Sequence, residues 1–103
     1  MVLMEFSITP LGQGESVSSY VARCVRIVAR SGLDYRLHAM GTIVEGELDE
    51  VLRVLHDCFA ELAGDCPRVT CTAKFDVRQG HSGRLVSKVA SVEAKCGQAL
   101  KTN

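Results

Sequence analysis

Met40-Gly41-Thr42-Ile43-Val44-Glu45-Gly46-Glu47 is the stretch on which the order of the chain turns. Thr42, Ile43 and Val44 are β-branched and suit a pleated, packed surface. Alternation along a strand puts Met40, Thr42 and Val44 on one face and Gly41, Ile43 and Glu45 on the other. Gly41 signals a tight bend or a close approach to the backbone, and Gly46 a turn. Leu48-Asp49-Glu50 then opens a helix, with Asp49 expected at its cap. A carboxylate, Glu45, therefore ends a strand flanked by periodic segments. It is either a solvated glutamate on the open face of a sheet or a ligand-facing group.

Working outward, residues 34–39 predict a preceding strand, with Tyr35, Leu37 and Ala39 on one face and Arg36 and His38 on the other. Before it, Val17, Tyr20, Val21, Cys24, Ile27 and Val28 recur at helical spacing, so a helix runs to about residue 31, capped by Ser16 or Ser18. Residues 2–9 alternate as a first strand, Val2, Met4, Phe6 and Ile8 against Leu3, Glu5, Ser7 and Thr9. Downstream, Val51, Leu52, Leu55, Cys58, Phe59 and Leu62 carry a second helix that Gly64 and Pro67 stop. Residues 68–78 alternate as a fourth strand, and Leu85, Val89, Val92 and Cys96 carry a last helix.

The order β-α-β-β-α-β plus a helix predicts an α+β fold. It is a ferredoxin-like sandwich: a four-stranded antiparallel sheet with two helices on one face and a C-terminal helix beyond. The first and third strands are then central, which brings Ser7 and Glu45 near each other on the open face. That face collects Glu5, Ser7, Thr9, Arg36, His38, Ile43, Glu45, Thr70, Thr72, Lys74, Asp76 and Arg78, a mainly polar set of mixed sign suited either to solvent or to stacking against another subunit.

Composition narrows the function. The 103 residues, 47% hydrophobic and 23% charged, predict one globular domain over 1–103. Twelve basic residues balance twelve acidic ones, and aromatics are 5%, so neither a phosphate-neutralising stripe nor stacking residues support nucleic-acid binding. The apolar runs are too short to span a membrane, and residues 1–9 lack a signal-peptide pattern, so the expected location is cytoplasmic. The five cysteines, Cys24, Cys58, Cys66, Cys71 and Cys96, include no CxxC pair and point to buried reduced thiols rather than a metal or redox site.

No local motif announces catalysis. The loop Gly12-Gln13-Gly14-Glu15-Ser16 matches no phosphate-binding pattern, and His38, His56 and His81 have no ligand spacing. No Ser/His/Asp or Cys/His nucleophile arrangement is evident. His38 stands out for sharing a face with Glu45. Tyr20 stands out for its place at the start of the first helix, where its hydroxyl could line a pocket below the loop.

Three stretches carry a family resemblance. Residues 10–21, with Pro10, Gly12, Ser16, Val17, Ser18, Tyr20 and Val21, resemble the P-x-G…S-V-S-x-Y-V signature of the YkoF-like thiamine-binding proteins, long known only as a domain of unknown function. The opening stretch is similar to that family's M-G-T-x-x-E-G-E strand, and Lys88-Val89-Ala90-Ser91-Val92-Glu93 to its K-V-x-S-V-E segment. Ala39, where a proline is common, departs from the pattern.

The resemblance implies a non-catalytic protein that binds thiamine or its pyrimidine moiety, with no cofactor or metal, and that assembles into dimers or tetramers. Glu45, Thr42, Ser7, His38, Ser16, Ser18 and Tyr20 are the expected ligand-binding residues. Thr42 and Glu45 point to opposite sides of one strand, so two poses are expected: one under the loop and first helix, using Thr42 and Tyr20, and one on the open face, using Glu45 and His38. Two other functions fit the fold. An acylphosphatase-like enzyme needs a phosphate-holding arginine, which residues 10–19 lack. A structural or regulatory oligomer would sense a different small ligand.

Overall fold

The computed structural model describes residues 1–14 and 17–102. Its elements are β1 (Val2–Pro10), α1 (Ser18–Arg30), β2 (Asp34–His38), β3 (Gly41–Gly46), α2 (Leu48–Ala63), β4 (Val69–Val77) and α3 (Arg84–Cys96). The strands form one sheet in the order β2-β3-β1-β4, every neighbouring pair antiparallel. This is the expected βαββαβ sandwich with an added C-terminal helix.

The two periodicities explain the core. Val2, Met4, Phe6 and Ile8 of β1, with Val44 of β3, turn to one face of the sheet and are buried. Cys24 and Val28 of α1 and Val51, Val54, Cys58 and Leu62 of α2 close over them. Fully burying one such aliphatic side chain stabilises by about 1.5–3 kcal/mol, far more than any local propensity, so these contacts fix where the helices lie. Arg23 adds a tie between α1 and α2, donating to Glu61 Oε1 at 3.0 Å and to Asp65 Oδ2 at 2.6 Å.

Helix starts differ from the sequence reading. α2 is capped at Glu47, not Asp49, and the Glu47 N–H donates to Glu50 Oε1 at 2.9 Å. A glutamate two residues earlier takes the cap because Glu50 is then correctly placed to reach back. At α1 the cap position is Val17, with no side-chain cap bond. Ser18 is the first helical residue, and Ser16 lies outside the described residues.

The largest correction concerns the open face. α3 lies across part of it: Leu85 is buried, and Leu85, Lys88 and Val89 meet Leu3, Glu5 and Ile43 around a hollow of about 230 Å³. Ser7, Thr9, Thr70 and Thr72 fall on the half that α3 leaves open. The expected closeness of Ser7 and Glu45 also fails. The register sets Leu3 opposite Glu45, whereas Ser7 pairs with Thr72 of β4, four residues further along β1.

Strand lengths create the feature that positions the site. β1 pairs with β4 as far as Pro10↔Val69, but with β3 only as far as Phe6↔Thr42. Among the described strands, the end of β1 therefore has a neighbour on one side only.

Candidate functional site

A cleft of about 310 Å³ opens where β3 stops beside β1. Phe6, Ser7, Ile8 and Thr9 form its floor, and Val21, Cys24 and Val25 of α1 one wall. Leu37, His38, Ala39, Met40, Gly41 and Thr42 form the other. Its volume is that of a small-molecule site, and its lining is mainly apolar with a few polar groups, as such sites require.

Backbone direction supplies two of the polar groups. Successive residues of a strand aim their N–H and C=O to alternate sides. A Cβ on Gly41 would lie 2.8 Å from the Phe6 carbonyl oxygen, so Phe6 faces β3. Thr9 faces β4, because its carbonyl oxygen accepts from Thr70 Oγ1 at 3.5 Å. Ile8 therefore faces the same side as Phe6, where the β3 ladder has ended. Its N–H and C=O look into the cleft. Pro10, next on that side, has no N–H to leave unpaired.

Thr42 supplies the third. It is 5% exposed and lines the cleft, and among the described residues nothing donates to or accepts from its hydroxyl. His38 supplies the rim. Its Nδ1 accepts the Met40 N–H at 3.2 Å, which leaves Nε2 as the protonated nitrogen, 3.4 Å from Glu5 Oε2. Met40 overhangs the cleft, 83% exposed. On its other side, Glu5, Phe6, Ser7, Met40, Thr72 and Lys74 line an adjoining hollow of about 290 Å³. Ser7 and Met40 thus form a saddle between the two spaces.

Ser7, His38 and Thr42, which the sequence singled out, are brought together here. Tyr20 is half-buried beside the loop, its hydroxyl donating to Gln13 Oε1 at 3.2 Å, and it does not line the cleft. Ser18 is exposed at the start of α1. Glu45 stands apart, 4% exposed, with Oε2 accepting the Arg84 N–H at 2.9 Å. Around it Arg84 donates to Asp76 Oδ1 at 3.0 Å and Lys88 Nζ to Asp76 Oδ2 at 2.6 Å. Lys88 first, and Arg84 second, hold the Asp76 carboxyl below the ordinary aspartate value. The two poses expected from sequence are thus redistributed: Thr42 and His38 share one space, and Glu45 belongs to the seat of α3.

Sequence reading missed Ile8, Leu37, Met40 and Glu5. The signal that could have found them was the mismatch in strand lengths, since a first strand of eight or nine residues cannot be matched by a third strand of six.

An antiparallel sheet backed by two helices, with a small-molecule cleft at the end of a central strand, defines a ferredoxin-like binding domain. The chain belongs to the thiamine-binding protein family, whose model matches residues 4–93. A UPF0045 protein of Synechocystis sp. is 38% identical over 93 residues, which is 89% of this chain and 77% of that protein. A UPF0045 protein of Mycobacterium bovis is 41% identical over 93 residues, 89% of this chain and 91% of that one. Among solved structures, a hypothetical protein of Methanocaldococcus jannaschii has a TM-score of 0.82 at 34% identity, covering 88% of this chain and 94% of that one. A candidate thiamine biosynthesis/salvage protein of Thermotoga maritima has a TM-score of 0.76, covering 88% of this chain and 97% of that one; at 18% identity this likeness shows the fold alone. No described helix is long and apolar enough to cross a membrane.

Proposed function

We propose that the protein binds thiamine, or its aminopyrimidine moiety, in the cleft beside Ile8 and Thr42, without transforming it. The observation that carries this is the main-chain pair at Ile8. An aminopyrimidine presents donors and acceptors side by side along one edge, and a free N–H and C=O at the end of a strand complement such an edge as a neighbouring strand would. The Thr42 hydroxyl adds a third contact, and Val21, Val25 and Leu37 suit the faces of a flat ring. The cationic thiazolium then extends over the Ser7–Met40 saddle toward Glu5, whose carboxylate is 45% exposed. Membership of the thiamine-binding family supports the same ligand class.

Binding without catalysis is supported by the state of His38. Its Nδ1 is occupied by the Met40 N–H and its Nε2 faces Glu5, which leaves no free nitrogen to activate the Ser7 or Thr42 hydroxyl. The protein acts as a cytoplasmic homo-oligomer, for which the half of the sheet face that α3 leaves open is the available surface.

Calorimetry with thiamine and with hydroxymethylpyrimidine tests the reading. Both should bind, and Thr42→Val should weaken both alike, because the hydroxyl meets the part they share. Glu5→Gln should weaken thiamine more than the neutral fragment. Binding of neither compound, or binding indifferent to Thr42, would overturn the assignment.

A further inference from the structure

Where α1 crosses α2, two cysteines face each other. Cys24 is 2% exposed and Cys58 0% exposed, and both are free thiols. Cys24 Sγ lies 4.0 Å from the Cys58 carbonyl oxygen, and Cys58 Sγ lies 3.7 Å from the Cys24 carbonyl oxygen. Such reciprocal contacts set each sulfur over the other residue's own backbone and bring the two helices together at this point. The sequence reading, which took these thiols as inert core, could not see that two separate helical stripes meet at this point.

The two sulfurs are not equivalent. Cys24 lines the ligand cleft and Cys58 does not, so a small solute entering the cleft meets Cys24 first. The neighbouring Cys58 thiol holds the Cys24 thiol below its ordinary value against the opposing effect of burial. The same proximity, with burial, pushes the Cys58 thiol up. The accessible sulfur is therefore also the one better disposed to be a thiolate, the form that attacks an oxidant. Cys71 of β4 lies within electrostatic range of both, and its thiol is raised mainly by burial.

We propose that Cys24 and Cys58 are an oxidisable pair: a peroxide entering the cleft converts them to a disulfide that ties α1 to α2. The Cys24 thiolate attacks one peroxide oxygen, the O–O bond breaks, and hydroxide leaves; Cys24 becomes a sulfenic acid. The Cys58 sulfur then attacks the Cys24 sulfur, the S–O bond breaks, and water leaves with the Cys58 proton. Overall two thiols lose two electrons and two protons, and one hydrogen peroxide becomes two waters. Because Cys24 is part of the cleft wall, the bridge draws that wall toward α2 and reshapes the cleft. Nothing in this step depends on which ligand the cleft takes.

The experiment treats the folded protein with hydrogen peroxide, blocks remaining thiols after unfolding with an alkylating reagent, and maps the peptides by mass spectrometry. Exposed Cys96 reports that the oxidant dose was sufficient. The expected result is one intramolecular bridge between the Cys24 and Cys58 peptides, with Cys66 recovered alkylated. In Cys58→Ser, Cys24 should accumulate as a sulfenic acid trapped by dimedone; in Cys24→Ser, Cys58 should stay reduced. The wild-type result stands without either variant should one fail to fold. Oxidised Cys96 beside fully alkylated Cys24 and Cys58 would overturn the proposal, as would a bridge to Cys71.

Discussion

Glu45 Oε2 accepts the backbone N–H of Arg84 at 2.9 Å across 39 positions of sequence. The carboxylate that ends β3 thereby satisfies a donor in the first turn of α3, a place where the helix dipole also favours negative charge. Glu45 holds the C-terminal helix on the sheet.

Glu45→Ala should therefore loosen α3. Losing a buried charged acceptor at a helix start costs about 1–3 kcal/mol, whereas Glu45→Gln, which keeps an acceptor oxygen, should cost less. Urea denaturation, with amide exchange of α3, measures both. Affinity for thiamine should stay unchanged. A Glu45→Gln protein of wild-type stability that no longer binds would make the carboxylate a ligand group.

Thr42→Val should show the opposite pattern. Because none of the described residues takes its hydroxyl, stability should hold or rise. Affinity should fall roughly two- to tenfold, the worth of one neutral hydrogen bond. Calorimetry and denaturation on the same sample separate the two effects.

Gly41→Ala tests the pinch between β3 and β1. The added methyl would stand 2.8 Å from the Phe6 carbonyl oxygen, and two strands must part to admit it. A loss of about 1–3 kcal/mol is expected, as for other overpacked sites. A thermal midpoint equal to wild type would mean that the strands separate freely there.

Acid should release α3 through Asp76. Its carboxyl lies below the ordinary aspartate value in the folded protein, held chiefly by Lys88 and then Arg84. The stabilisation is thus fully present above about pH 4 and is lost as pH falls through the lowered value. Urea midpoints followed downward from about pH 5 should drop less steeply for Asp76→Asn than for wild type.

Self-association should be visible in solution as at least a dimer. Lys74→Glu should weaken it, since Lys74 faces Glu5 across β1 and β4, and the change gathers like charges on the half of the sheet face open to a partner. A monomer by light scattering at micromolar concentration would count against this surface.

The layered fold was legible in the residues because alternation and helical spacing are local. Val2 to Ile8 names its buried face without help from elsewhere, and Gly41 announced a close approach that the Phe6 carbonyl supplies. On α2 the spacing found Val51, Cys58 and Leu62, but Leu52 and Phe59 are exposed and Val54 is buried in their place. The seat of α3 was not legible. Leu85 and Val89 state that a helix has an apolar side, but not which surface receives it. Glu45 could not be read for the same reason, its partner being 39 residues away. Thr42 and His38 were visible as polar groups on a strand and beside a turn. That they meet at one cleft follows from where a ladder of hydrogen bonds stops, and no single residue records that.

The overhang of β1 beyond β3 has an evolutionary corollary. A contact made by the Ile8 amide and carbonyl is indifferent to the side chains around it, so substitutions at Ser7, Thr9 or Val25 can retune what the protein prefers while the recognition edge persists. Point mutation can hardly erase that edge. An insertion or deletion in the turn at Ala39 and Met40 could, because it shifts where β3 begins and lets the strand grow over the gap. Relatives that have changed ligand by side-chain drift should keep that turn at constant length, and those that have lost binding altogether should be found among the ones that do not.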